Sequence, residues 1–231
     1  MTEQTAERYL KGRIEYWTPP MQDRSRVHQI REQIEDLLLD DYCAYPLRET
    51  GSWSHGTAIS IYSDVDYFAP MLSTRPDDSS AALGRLAASI NRGGVGGLAY
   101  VDRPCVRVMF TGADSNQDIE ITPAFEINGS EDDYHIPDPE TSGWIRSNPK
   151  FHLDYVDSAQ RKTNNLAKGL IRLIKAWNAI LDVKVSELSS LLWTLTSKEF
   201  DSDVYASQSR RRGRAGGAPP RPAVFLAAVQ G

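Results

Sequence analysis

The stretch GSWSHGTAISIYSDVDYF, Gly51 to Phe68, constrains this chain more than any other, because it ends in two carboxylates, Asp64 and Asp66, inside an apolar run. A β-strand repeats every two residues, so both side chains face the same side of any sheet the run joins. Farther along, QDIEITPAF (Gln117 to Phe125) alternates Asp118, Glu120 and Thr122 against Ile119 and Ile121. That alternation predicts a second strand, and Glu120 brings a third carboxylate. Clustered carboxylates are donors for hard divalent cations. The glycine–serine turn upstream, Gly51-Ser52, suits a phosphate. Metal plus phosphate points to nucleotidyl transfer.

Composition narrows the setting. A chain of 231 residues, 40% hydrophobic and 25% charged, can bury the core of one domain or slightly more. The formal charge is −5, and the five arginines after Asp201 leave the first 200 residues more acidic still. An acidic body argues against gripping long DNA or RNA through counterion release. It leaves room for a nucleoside triphosphate held by a few lysines and magnesium. Cys43 and Cys105 form neither a disulfide framework nor a zinc motif. The N-terminus lacks a basic-then-apolar leader, and no apolar run approaches the roughly 18 residues of a membrane span. The expectation is a cytoplasmic protein without a membrane.

Along the chain, residues 1–24 read as a polar N-terminal extension broken at Pro19-Pro20. Val27, Ile30, Ile34, Leu37 and Leu38 predict an amphipathic helix over 25–40. Gly56 to Ile61 reads as a short helix or turn, and Asp64 to Phe68 as a strand. Ser79 or Ser80 is expected to cap a helix carrying Leu83, Leu86, Ala87 and Ile90. NRGGVGG, Asn91 to Gly97, reads as a connector. Cys105 to Phe110 and the QDIEI strand form a hairpin through TGADSN. Residues 126–160 show few periodic signals. The longest helix is expected over Ala159 to Leu181, burying Leu166, Leu170, Leu173, Ile174, Trp177 and Leu181. Its other side would carry Asn164, Lys168, Arg172 and Lys175. Lys168 and Lys175 stand almost two full turns apart, so both ammonium groups can face one partner. A second, shorter helix is expected over Ser186 to Leu195, and residues 201–231 read as a disordered tail.

The chemistry follows from the donor types. Two metal ions about 3.5–4 Å apart can activate an attacking hydroxyl and neutralise leaving oxygens. Asp64 and Asp66 would hold the triphosphate-side ion, and Asp66 with Glu120 the ion beside the attacking hydroxyl. Glu120 is the candidate to assist removal of its proton. Mg²⁺ is expected, with Mn²⁺ as a substitute. Ser52 and Thr57 would serve the phosphate turn, and Lys168 and Lys175 would balance phosphate charge. A lone D-x-D is common on exposed strands, and paired lysines are usually a solvated face. The order of all four features separates this chain from those cases.

GSWSHGTAISIYSDVDYF resembles the GS…GT…SDxD signature of the DNA polymerase β-like nucleotidyltransferases. KTNNLAKGLIRLIKAWN, Lys162 to Asn178, is similar to the spine-helix segment of the cGAS/DncV-like enzymes, as is the region from Tyr134 through Trp144, Pro149 and His152. The resemblance covers about residues 25–195. It implies an α/β (α+β) fold with a mixed sheet cradled by helices and, here, a shortened helical second lobe. The nucleotidyltransferase core would span 25–158, and the spine helix and partial lobe 159–200. It implies two Mg²⁺ ions and synthesis of a cyclic di- or trinucleotide from nucleoside triphosphates in antiphage defence. By position, Asp64, Asp66 and Glu120 become the metal carboxylates, Gly51 and Ser52 the phosphate turn, and Lys168 and Lys175 triphosphate contacts. Asn164 or Asn165 would face a base. The chain departs from the family in carrying Glu120 where aspartate is usual, which leaves Asp118 as an alternative ligand. It also departs in lacking the helices that close the second lobe, which would expose part of the long helix's apolar stripe, so either poor stability or a protein partner that covers it is expected. Two rival readings remain at this level: nucleotide transfer to RNA, a small molecule or a protein, and an inactive nucleotide-binding regulator.

Overall fold

The computed structural model describes residues 3–41, 46–60, 63–110, 118–127, 130 and 132–181. The chain divides into two compact units, Met1–Ala176 and Trp177–Gly231. The site and everything that positions it lie in the first.

Two helices open the chain, α1 (Glu3–Trp17) and α2 (Met21–Asp41). Pro19 and Pro20 separate them, because proline lacks the N–H a helix interior needs. The expected helix over 25–40 is therefore the body of a longer one. Helix α1, by contrast, falls where only a polar extension was expected; its surface is mostly exposed, so it shows little apolar periodicity. The α2 stripe buries as expected, with Val27, Ile34 and Leu38 in the core and Ile30 and Leu37 packed against it. Each such side chain contributes about 1.5–3 kcal/mol.

Strand β1 (Arg48–Thr50) leads into a one-turn helix, α3 (Gly51–Ser54), at the expected Gly51-Ser52 turn, so the short helix precedes Gly56 rather than following it. Strand β2 (Val65–Pro70) follows, then helix α4 (Ser79–Gly93). Asp78, not Ser79 or Ser80, caps α4: its carboxylate accepts the Ser80 N–H at 2.8 Å. At the other end Gly94 takes the left-handed conformation at φ +66°, which stops the helix. The remaining strands are β3 (Gly97–Asp102), β4 (Cys105–Phe110), β5 (Ile119–Glu126), β6 (Tyr134–Pro137) and β7 (Trp144–Ser147). Strand β3 begins at the end of the expected connector. Strands β6 and β7 lie in the segment that showed few signals; at four residues each they are too short to display a period.

The seven strands form one mixed sheet in the order β1-β2-β5-β4-β3, with β6 on the far half of β5 and β7 beyond it. Strands β2 and β5 run parallel; the other pairs are antiparallel. One face buries Val65, Tyr67, Val106, Val108, Ile119 and Ile121 with α2 and α4. Period-two alternation then puts Asp64, Asp66, Glu120 and Arg107 on the opposite face. Farther along that second face, Phe68, Ala124, Tyr134 and Ile136 pack into a small apolar group.

The expected long helix is two helices, α5 (Pro149–Lys162) and α6 (Ala167–Leu181), and the 21-residue α2 is longer than either. Asn164 and Asn165 take left-handed φ values of +49° and +67°, which end α5. The expected buried stripe is also displaced. Leu166, Leu170 and Trp177 are exposed, while Arg172 and Lys175 on the supposed outer side are partly buried. Ile14 of α1 lies so close to Gly169 that a Cβ there would meet its Cδ1 at 2.8 Å, so α1 packs on this helix. The helix expected over Ser186 to Leu195 and the tail over 201–231 fall outside the described residues.

Candidate active site

Strand register assembles the site. Thr50 pairs with Asp66, Asp66 with Glu120, Glu120 with Arg107, and Arg107 with Tyr100. This row crosses the sheet, so Asp66 and Glu120 sit on adjacent parallel strands about 4.8 Å apart. Asp64 immediately precedes β2 and Asp118 immediately precedes β5, one step back along the same face. The three expected carboxylates and the alternative one are therefore neighbours.

The phosphate turn lies directly against Asp66. Gly51 adopts φ +61°, and a Cβ added there would meet Asp66 Oδ2 at 1.9 Å. Only glycine permits both the backbone conformation and the approach. The Ser52 backbone N–H donates to the Asp66 carboxylate. Thr57 is buried, with its N–H donating to the Ser52 carbonyl at 2.8 Å, so it holds the turn closed from behind. Trp53 fastens the following loop: its indole N–H donates to the Ser63 carbonyl at 3.2 Å, and Ser63 Oγ accepts the Ile59 N–H at 3.0 Å. That loop delivers the chain to Asp64.

Electrostatics mark the carboxylates as under-compensated. Burial, Glu120 and Asp64 push Asp66 up to about 8, opposed by Lys175 and the Ser52 N–H. Burial likewise raises Asp64 and Glu120, while Arg107 opposes it at both. Arg107 was not singled out from the sequence. Its Nη1 donates to Asp64 Oδ2 at 3.1 Å and Asp118 Oδ2 at 3.4 Å, and its Nε to Asp102 Oδ2 at 3.1 Å. Its Nη2 pairs with Glu120. The signal was available: Arg107 is the one charged residue in CVRVMF, and the hairpin sets it opposite Glu120.

Helix α6 brings both expected lysines to this region. Lys168 approaches the turn, with its Nζ 3.6 Å from the position of a Cβ on Gly56, and its Nζ donates to Asp157 Oδ1 at 2.7 Å. Lys175 is different. Its ammonium is buried and has no hydrogen-bond partner among the described residues. Burial lowers its pKa, with Asp66 opposing. His55, in the turn itself, is pushed down to about 4 by burial and by His152, Lys175 and Lys168, and so is neutral at pH 7. Asn164 and Asn165 are exposed in the turn between α5 and α6, where Asn165 N–H donates to the Gln160 carbonyl at 2.9 Å.

Among the described residues, no group of three or more histidine, cysteine, aspartate or glutamate side chains is gathered to hold a metal ion as it stands. The donor set nevertheless fits one. Asp64, Asp66 and Glu120 are hard oxygen donors, Asp66 makes no ion pair among the described residues, and a guanidinium already draws Asp64 and Glu120 together as a stand-in cation. Likewise, among the described residues no helix is long and apolar enough to cross a membrane.

Residues 18–159 match the model of the Second Messenger Oligonucleotide or Dinucleotide Synthetase (SMODS) domain. That span holds the carboxylates and the phosphate turn, and Lys168 and Lys175 lie just beyond it. No curated protein matches the chain. Among solved structures, it resembles E. coli MS115-1 CdnC with ATP, at 21% identity and TM-score 0.59, over 75% of this chain and 58% of CdnC. The CdnC:HORMA-deltaN complex matches at 18% identity and TM-score 0.59, over 78% of this chain and 58% of that one. Elizabethkingia meningoseptica CdnE cyclic dinucleotide synthase, with GTP and Apcpp, matches at 15% identity and TM-score 0.55, over 70% of this chain and 63% of that one. The fold is that of the polymerase β-like nucleotidyltransferases, and this chain spans less than two thirds of the length of each of these relatives.

Proposed function

The chain belongs to the Second Messenger Oligonucleotide or Dinucleotide Synthetase family, and from that premise we propose that it joins nucleoside triphosphates into a cyclic di- or trinucleotide, releasing pyrophosphate. The observation that carries this reading is the pairing of Asp66 with Glu120 on parallel strands, directly against the Gly51-Ser52 turn, with the buried Lys175 ammonium, which has no hydrogen-bond partner among the described residues, nearby.

Asp64, Asp66 and Glu120 would hold Mg²⁺, in two ions by the family's pattern, with Mn²⁺ able to replace it. When bound, the metal supplies charge neutralisation at the phosphates and acidifies the attacking hydroxyl. The chain's own residues do the rest. Lys175 gives its buried ammonium to the triphosphate, and Lys168 joins it by leaving Asp157. Gly51, having no side chain, lets the phosphates approach the backbone, and Thr57 keeps that turn closed. Glu120 receives the proton of the attacking ribose hydroxyl on a carboxylate oxygen. Burial raises its basicity toward that task. The new bond joins the ribose oxygen to the α-phosphorus, the bond to the β-phosphate oxygen breaks, and pyrophosphate leaves. The base contact proposed for Asn164 or Asn165 rests on their place at the start of α6.

CdnC forms a complex with HORMA-deltaN, and a protein partner belongs to this reading, as does a role in antiphage defence inside the cytoplasm. The test is incubation of the purified chain with all four nucleoside triphosphates and Mg²⁺ or Mn²⁺, then phosphatase and mass spectrometry. A phosphatase-resistant cyclic product is expected from the native protein. Glu120→Gln should lower the rate by about 10²–10⁴-fold, the range for removing a proton acceptor. Nucleotide retained without turnover by the folded protein would instead favour the regulatory reading.

A further inference from the structure

Arg107 does not belong to the carboxylate trio, yet it touches two of its members. Its guanidinium forks among four carboxylates from three places on the sheet: Asp64 before β2, Asp118 and Glu120 at the start of β5, and Asp102 at the end of β3. These four fall into two pairs. Asp64 and Glu120, each about one fifth exposed, are the proposed metal ligands. Asp102 is half exposed and Asp118 less so; Asp118 stands two residues before Glu120 on its own strand, level with Asp64, while Asp102 closes the far end of β3.

The guanidinium occupies one oxygen of Asp64 and one of Glu120, so a divalent cation bound by the same carboxylates meets a like charge at contact distance, and the two compete. Resting on the proposed metal-dependent function, we propose that Arg107 is a positioning residue that competes with the metal. It holds Asp64 and Glu120 together while no metal is bound and gives up both when the cation arrives, staying anchored to Asp102 through its Nε. Asp102, outside the trio, is the contact that keeps the guanidinium close once those two are released. The device explains two features at once. The acidic cluster is tolerated without metal because one guanidinium neutralises part of it. The metal must displace a bound cation, so the site fills only above a set metal concentration.

The measurement is direct Mn²⁺ binding to the intact chain, followed by electron paramagnetic resonance without nucleotide, in the native protein and in Arg107→Met. The folded variant is expected to bind Mn²⁺ at least about tenfold more tightly, the scale of removing a unit charge a few ångströms away. Asp102→Asn removes that anchor without touching the trio. It should weaken Mn²⁺ binding in the native background and leave it unchanged when Arg107 is already methionine, a coupling that a merely structural role would not produce. If Arg107→Met does not fold, Arg107→Lys keeps one charge but cannot fork among four carboxylates, and should tighten binding by a smaller factor. Equal or weaker Mn²⁺ affinity in the folded Arg107 variants, with binding intact in the native protein, overturns the competition. Failure of every form to bind Mn²⁺, both alone and with a non-hydrolysable nucleoside triphosphate analogue present, overturns the metal-dependent function as well, so the two failures are distinct.

Discussion

At position 175 the chain buries an ammonium group with no hydrogen-bond partner among the described residues, close enough to Asp66 to feel its charge. A fold does not keep such a group for stability, since an unsatisfied buried donor costs about 1–3 kcal/mol. Lys175→Met should therefore stabilise the nucleotide-free protein by an amount in that range, read by chemical denaturation. The same variant should raise the KM for nucleoside triphosphate. Loss of stability with unchanged KM would remove Lys175 from the phosphate site. The carboxylates were legible in the sequence because a strand's period alone sets which residues share a face. Arg107 was not, since its role depends on which residue of β5 lies across from it. The lysines were legible as a pair, but the partnerless state of Lys175 follows only from how α6 packs.

Among the elements, β2, α4, β4 and β5 announce themselves through alternation, a capped apolar stripe or β-branched residues. Strand β3 does not, because Gly97–Asp102 follows a glycine run and offers only Leu98, Tyr100 and Val101 as β-formers. The spine segment is the instructive failure. Apolar spacing continues from Ala159 to Leu181, so periodicity predicts one helix. Two asparagines in the left-handed conformation override it, because their side chains tolerate φ values that other residues avoid. The stripe is then only partly covered: Lys168 and Lys175 face the turn and the carboxylates, Leu173 and Ile174 stay partly buried, and Leu166 and Leu170 are exposed. The break is testable. Asn165→Ala should lower stability by about 1–2 kcal/mol, the cost of a Cβ-bearing residue at φ +67° without asparagine's local hydrogen bonding. Asn165→Gly should leave it near native. Equal urea midpoints for the two variants would mean that the left-handed turn is not what separates α5 from α6.

For the molecule as a whole, the sheet does two jobs with one alternation. Its inner face carries the aliphatic core under α2 and α4; its outer face carries the acidic row, the arginine that neutralises it and the turn that crowds Asp66. Stability and chemistry are thus separated by a single residue of register, and a slip by one would exchange them. That arrangement makes metal binding the central claim. The most direct test is a crystal of the chain grown with Mn²⁺ and a non-hydrolysable nucleoside triphosphate analogue, with anomalous diffraction recorded at the manganese edge. The account predicts manganese peaks within coordination distance of Asp64, Asp66 and Glu120, with the triphosphate against Gly51-Ser52 and Lys175. Bound nucleotide without manganese at those carboxylates, or manganese bound elsewhere, would contradict it.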